Sequence, residues 1–126
     1  MESPAATPAP APLASASPWW VVCLCAGWCG VCREYQPLFD ALAVQHPGIR
    51  FQWVDVEDES DVVGDLDIET FPTLLIANEA GARFFSPLAP HIGVLDRLIG
   101  SQREQPGPLL GADVQTLWHA IRDKLA

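Results

Sequence analysis

The stretch Ala26-Gly27-Trp28-Cys29-Gly30-Val31-Cys32 places two cysteines between a predicted strand and a predicted helix. The preceding run, residues 19–26, is rich in β-branched, aromatic and thiol side chains, which predicts a buried strand. In the sequence that follows, apolar residues recur at helical spacing, at Tyr35, Leu38, Phe39 and Leu42. The two cysteines are therefore expected where a strand ends and a helix begins.

This position favours redox chemistry at Cys29 and Cys32. The first turn of a helix has unpaired N–H groups and the positive end of the helix dipole, both of which stabilise a thiolate at Cys29. Cys32 lies on the same helical face and can reach back to Cys29, and Gly30 permits that close approach. We therefore expect Cys29 to attack a disulfide and Cys32 to resolve the mixed disulfide, so that the pair cycles between dithiol and disulfide.

Apolar alternation elsewhere in the chain predicts a four-stranded mixed sheet. The strand before the two cysteines is the first, and residues 49–56 form the second, with apolar and polar residues alternating at its start. The third strand is expected at residues 74–77, after which residues 78–81 form a turn. Residues 82–85 then pair back on the third strand as an antiparallel edge.

Four helices are predicted around this sheet. The helix after the two cysteines is expected to end near Gln45 and contains Pro37, which should bend it. Ser60 is the predicted N-cap of a short helix. Two amphipathic helices follow, one opened by Pro90 and one over about residues 112–125.

The composition narrows the class of protein. A chain of 126 residues with 49% hydrophobic residues is long enough to bury a core and is typical of one folded domain. Its formal net charge of −9 disfavours nucleic acid and anionic membrane as partners.

Three segments and a compartment are predicted from the order of residues. Residues 1–18 read as a disordered Pro/Ala-rich tail, residues 19–104 as the domain, and residues 105–126 as a linker and a C-terminal helix packed on it. No Lys or Arg precedes Arg33, so neither a secretory signal nor a mitochondrial transit peptide is expected. The expected localisation is cytoplasmic.

Taken together, the order of elements and three motifs resemble the thioredoxin superfamily over about residues 19–104. The motifs are Trp28 to Cys32, Pro37 in the helix, and Phe71-Pro72-Thr73 before the third strand. The resemblance implies an α/β protein with a thioredoxin-like three-layer fold. It departs from the family by lacking the N-terminal strand–helix unit and by adding a C-terminal helix.

The resemblance also implies a function and a set of site residues. The protein would be a thiol–disulfide oxidoreductase for protein disulfides, needing no bound cofactor or metal but an external electron donor such as a thioredoxin reductase or glutathione. In the family the proline that matches Pro72 is cis, and the segment Phe71, Pro72 and Thr73 would dock the client chain while Trp28 shields the site. The residues expected to modulate the site are Cys23, Gly30 and Val31.

Of these, Cys23 stands where thioredoxins usually have a buried Asp that moves a proton to or from the resolving thiol. A thiol has a much higher reference pKa than a carboxyl group, so we expect Cys32 to react more slowly than in a general disulfide reductase. Gly30 and Val31 occupy the middle of the motif, where thioredoxin itself has Gly-Pro. The redox potential therefore cannot be transferred from the family.

Two alternatives to the redox enzyme stay open at the level of sequence. Cys23 and Cys25 share one face of a strand, where they can be small buried hydrophobes or, together with Cys29 and Cys32, ligands for zinc or an iron–sulfur cluster. A cluster is disfavoured by the unusual ligand spacing and by the lack of room inside a packed strand. The other alternative is a redox-inactive thioredoxin-fold interaction module.

Overall fold

In a computed structural model, residues 19–64, 66 and 68–125 are described, and the predicted tail at residues 1–18 lies outside this part of the chain. The elements in chain order are β1 Trp20–Cys25, α1 Gly30–Gln45, β2 Arg50–Asp55, α2 Ser60–Val63, β3 Thr73–Asn78, β4 Gly81–Pro87, α3 Ile92–Glu104 and α4 Ala112–Leu125.

The four strands form one mixed sheet in the order β2-β1-β3-β4. Strand β1 pairs with β2 in parallel and with β3 antiparallel, and β4 is the antiparallel edge strand. Because β1 lies in the interior of the sheet, nearly all of it is buried, in agreement with its continuous run of apolar and thiol residues. The predicted four-stranded mixed sheet is confirmed.

Alternate residues of β1 supply the two faces of the sheet. Val21, Cys23 and Cys25 point into a core shared with α1 and α3. Val22 and Leu24 point into a second core shared with α2 and α4. Helices therefore cover both faces, and the predicted three-layer α/β fold is confirmed.

The C-terminal helix α4 closes the second face through polar and aromatic contacts. Trp118 of α4 is 98% buried and meets Trp20 of β1 edge to face, with ring centroids 5.1 Å apart. Gln115 pairs its amide with the backbone of Ala82 in β4, accepting from the N–H and donating to the carbonyl, each over 2.9 Å. Arg50 of β2 donates to the Leu125 carbonyl at the end of α4.

Helix α2 begins one position before the sequence-based prediction. The Glu59 carbonyl accepts from the N–H groups of Val62 and Val63, so Glu59 is the N-cap and Ser60 is the first helical residue. The helix ends before Gly64, whose φ of 64° is a left-handed conformation suited to glycine. None of the described helices is both long and apolar enough to span a bilayer.

Candidate active site

The loop between β1 and α1 positions Cys29 at the start of a helix, as the sequence predicts. Cys29 has extended backbone angles, with φ −84° and ψ 124°, and its N–H donates to the Ala26 carbonyl over 3.0 Å. Its own carbonyl accepts from the N–H of Arg33 over 3.1 Å, which starts the helical hydrogen-bond series. The thiol of Cys29 is free and half-buried, and its side chain makes no capping hydrogen bond to the described residues.

Cys32 forms a disulfide with Cys25, whereas the sequence-based expectation pairs Cys32 with Cys29. The Cα atoms of Cys25 and Cys32 are 5.8 Å apart, and both residues are at least 99% buried. The Ala26 N–H donates to Cys32 Sγ over 3.3 Å, which holds this sulfur against the end of β1. The cycling of Cys29 with Cys32 remains a prediction.

Cys25 is the site residue that sequence reasoning missed, since it was considered only as a small hydrophobe or a metal ligand. The pairing could have been inferred from the faces of β1 and α1 on which Cys25 and Cys32 lie. Cys25 ends β1 on the face that α1 covers, and Cys32 is the first residue on the buried face of α1. The last inward residue of the strand and the first inward residue of the helix meet across the short loop between them.

Cys23 lies deeper in the same core, as a free and fully buried thiol. Burial raises the pKa of Cys23 far above its ordinary value, so this side chain is a neutral thiol. Burial, and secondarily the charge that Cys23 would carry, raise the pKa of Tyr35 in the same way. The Tyr35 hydroxyl is buried and has no hydrogen-bond partner among the described residues.

We expect the free energy of unfolding of the disulfide form to fall in alkaline solution, because the buried Cys23 thiol and Tyr35 hydroxyl ionise more readily in the unfolded chain. In the folded chain the pKa of Cys23 lies above its ordinary value of 9.0. The neutral thiol therefore contributes fully to the free energy of unfolding below pH 9.0, and this contribution is lost as the pH rises further. The loss for one thiol is about 1 kcal/mol between pH 9.0 and 10.0 and approaches about 1.4 kcal/mol per pH unit at higher pH. Tyr35, with an ordinary pKa of 10.0, adds to the slope only at higher pH.

Urea unfolding between pH 9.0 and 10.0 measures this slope. Cys23→Ala should remove most of the pH dependence in that interval, whatever it does to the absolute stability. An equal slope in the two proteins would show that Cys23 ionises alike in the folded and unfolded chains, contrary to the burial argument.

Asp55, at the end of β2, fixes the loop that leads to Cys29. One carboxylate oxygen accepts from the Gly27 N–H over 2.9 Å, and the other accepts from the N–H groups of Glu57 and Asp58 over 2.9 and 3.2 Å. A Cβ added at Gly27 would lie 3.1 Å from the Asp55 carboxylate, so a larger residue would crowd this contact. Asp55 stands in a run of acidic residues with Glu57, Asp58, Glu59 and Asp61, and no local pattern in the sequence marks it for this role.

Replacing Asp55 by alanine should lower the free energy of unfolding by about 1–3 kcal/mol, because three backbone amides lose a charged acceptor. Asp58→Ala is the matched control, since Asp58 is an exposed neighbour in the same acidic run, and it should change stability by less than about 0.5 kcal/mol. Chemical denaturation of both variants makes the comparison. Equal effects would mean that the carboxylate of Asp55 does not hold the loop.

Two aromatic residues bring the cysteine loop next to the segment before β3. Trp28 is 62% exposed, and its ring meets that of Phe71 edge to face with centroids 5.8 Å apart. The Trp28 indole N–H donates to the Glu57 carboxylate over 2.8 Å. The peptide bond from Phe71 to Pro72 is cis, in agreement with the resemblance.

Pro72 and Thr73 are buried and tied to the backbone around them. The Thr73 hydroxyl donates to the Thr70 carbonyl over 2.6 Å, and the Pro72 carbonyl accepts from the Leu88 N–H over 3.0 Å. The structure thus brings the Trp28 loop and residues 71–73 to one end of the sheet. Docking of a client chain there remains a prediction.

The middle of the motif is open to solvent. Val31 is 41% exposed, and a Cβ added at Gly30 would have only the Arg33 guanidinium near it, at 3.8 Å. The packing therefore does not require glycine at position 30, and the role of Gly30 in a close approach of Cys29 and Cys32 remains a prediction. In the described part of the chain, no three His, Cys, Asp or Glu side chains are grouped so as to hold a metal ion.

This chain is similar in sequence to known proteins. The family model "Thioredoxin" matches residues 11–86. Thioredoxin-1 of Caenorhabditis elegans is 37% identical over 57 residues, covering 45% of this chain and 50% of its own length. Thioredoxin H1 of Arabidopsis thaliana is 29% identical over 85 residues, covering 68% of this chain and 64% of its own length. The matched part of this chain thus spans between half and two thirds of the length of these two relatives.

Among solved structures, the thioredoxin of Fasciola hepatica superposes with a TM-score of 0.61 at 24% identity. The superposition covers 68% of this chain and 82% of the other. At this identity the likeness concerns the fold. It agrees with the three layers described above.

Proposed function

Because the chain belongs to the thioredoxin family, we propose that it is a thiol–disulfide oxidoreductase that acts on protein disulfides. One observation carries the proposal: a half-buried free thiol, Cys29, stands at the start of a helix whose first inward residue, Cys32, is joined to another cysteine in a disulfide. A nucleophile next to an exchangeable sulfur is the arrangement that thiol–disulfide exchange needs.

The reaction proceeds in two exchanges at Cys29 and Cys32. The Cys29 thiolate attacks one sulfur of the client disulfide, a bond forms between Cys29 and the client, and the other client sulfur leaves as a thiolate and takes up a proton. The Cys32 thiolate then attacks the Cys29 sulfur, releases the second client thiol and leaves a disulfide in this protein. The client gains two electrons and the protein loses two.

The client chain docks against Trp28 and residues 71–73. Support comes from the exposed ring of Trp28 and its contact with Phe71, which form an aromatic surface beside Cys29. The cis bond before Pro72 agrees with the family resemblance. The fixed positions of Pro72 and Thr73 give this edge a defined backbone.

Three residues modulate the site. Cys23 is a neutral buried thiol and cannot supply the proton transfer that a carboxylate gives, so resolution by Cys32 is slow. Gly30 and Val31 lie on the surface next to Cys29, where they meet the client or the electron donor. These two positions set which partners approach.

An external thiol system returns the oxidised protein to its reduced form. A thioredoxin reductase or glutathione supplies the two electrons, and no bound cofactor or metal takes part. The compartment we propose is the cytoplasm, because a protein that reduces client disulfides needs a reducing thiol pool.

Reduction of insulin disulfides by dithiothreitol, with and without the full chain, tests this proposal. A catalytic amount of protein should accelerate reduction at least several-fold, and protein whose thiols have been blocked by iodoacetamide should not. A chain that leaves the uncatalysed rate unchanged would instead be an interaction module of the same fold.

A further inference from the structure

The disulfide between Cys25 and Cys32 lies where no outside molecule reaches it. Cys25 is fully buried and Cys32 is 99% buried, between the end of β1 and the first turn of α1. A client thiol, a reductase or glutathione must approach a sulfur in line with the bond that breaks, and these two sulfurs offer no such access. Electrons therefore enter or leave this disulfide through another thiol of the protein.

Cys29 is the thiol placed to do this. It is half-buried, packs on the core that contains Cys25 and Cys32, and precedes Cys32 by three positions, so the two side chains share one side of the first turn. The Ala26 N–H donates to the sulfur of Cys32 and fixes its position beside the end of β1. Cys23 lies two residues before Cys25 on the same strand face and is unpaired.

We propose that Cys25 is a third redox-active cysteine, which takes the disulfide from Cys29 after each turnover. This inference rests on the proposed function. The Cys25 sulfur attacks the sulfur of Cys32 and gives up its proton, a bond forms between Cys25 and Cys32, the bond between Cys29 and Cys32 breaks, and the Cys29 sulfur leaves and takes up a proton. One disulfide is exchanged for another, so no oxidant or reductant is consumed.

The exchange moves the disulfide into the core and frees the thiol of Cys29 at the surface. The oxidised protein therefore still presents a free thiol at Cys29. With Cys32 engaged by Cys25, a mixed disulfide at Cys29 has no resolving thiol and persists until a thiol of the external donor attacks it and releases Cys29. For reduction, Cys29 first attacks Cys32, the sulfur of Cys25 leaves and takes up a proton, and the accessible disulfide at Cys29 then meets the donor.

The position of the free thiols in singly oxidised protein tests this relay. The full chain is oxidised with glutathione disulfide until molecules with one internal disulfide dominate, quenched with acid, denatured and labelled with N-ethylmaleimide. After reduction and a second, different label, cleavage at Trp28 separates the peptide with Cys23 and Cys25 from the peptide with Cys29 and Cys32. Mass spectrometry then reports which cysteines were free.

In the wild-type chain, we expect Cys23 and Cys29 to carry the first label in more than half of the singly oxidised molecules. Cys25→Ala should lower the labelled fraction of Cys29 at least tenfold, because the other remaining cysteine, Cys23, lies deeper in the core and Cys29 is then the thiol that shares the first turn with Cys32. Cys23→Ala is the matched control, a second buried cysteine on the same strand face, and should leave the wild-type distribution at Cys29 unchanged.

The wild-type distribution decides the matter even if a variant does not fold. Free Cys25 with protected Cys29 in nearly all singly oxidised molecules would overturn the relay, and so would an unchanged distribution in folded Cys25→Ala. In either case catalysed insulin reduction would continue, so the proposed function would stand. Absence of catalysed insulin reduction would refute the proposed function, and the relay with it, whatever the labels show.

Discussion

Replacing Cys29 by serine should reduce the rate of insulin reduction to that of dithiothreitol alone, so that the whole of the at least several-fold acceleration is lost. A serine hydroxyl is not ionised at neutral pH and does not attack a disulfide, and the buried cysteines cannot meet a protein client. The fold should be unaffected, because position 29 is at a helix start and its side chain makes no capping hydrogen bond to the described residues.

Cys23→Ala is the matched control for this experiment. It removes a buried thiol that supplies no proton transfer in the wild-type chain, so activity should be retained. Initial rates at equal concentrations of folded protein compare the three chains. Full activity of Cys29→Ser would place the attacking thiol elsewhere and contradict the mechanism.

The largest effect on stability is expected from Trp118→Ala in α4. Trp118 is 98% buried in the second core and meets Trp20 edge to face, so its removal leaves a large cavity between α4 and the sheet. Substitutions of this kind cost about 3–5 kcal/mol, a large part of the stability of a small domain. We therefore expect a strongly lowered midpoint in urea unfolding.

His119→Ala is the control, since His119 is the next residue on the same helix and is exposed. It should change the free energy of unfolding by less than about 0.5 kcal/mol. Similar midpoints for Trp118→Ala and the wild type would mean that α4 does not contribute to the second core in solution.

The parts of the fold that depend on local pattern could be predicted from the sequence. Helix α4 begins at Ala112 and ends at Leu125 as its apolar spacing predicts, because a breaker precedes it and one face is consistently apolar. Strand β1 was equally clear, since an interior strand reads as a continuous apolar run.

The parts that depend on two distant segments could not be predicted. The pairing of Cys25 with Cys32 requires α1 to pack over the end of β1, and the spacing of the cysteines alone favours Cys29 as the partner. No local pattern sets Asp55 apart from the neighbouring acidic residues, and only the fold shows that it accepts from the Gly27 amide. The contact of Gln115 with the backbone of β4 likewise arises from docking and leaves no pattern in the sequence.

The most direct test of a thiol–disulfide oxidoreductase is the redox state of the four cysteines in a graded series of glutathione buffers, read by alkylation and mass spectrometry on metal-free protein. We predict that two thiols disappear together, with Cys32 always one of the pair, and that a tenfold change in their ratio corresponds to about 30 mV, as for a two-electron couple. If all four thiols stay free in every buffer, or resist alkylation until a chelator is added, the protein is not a dithiol oxidoreductase.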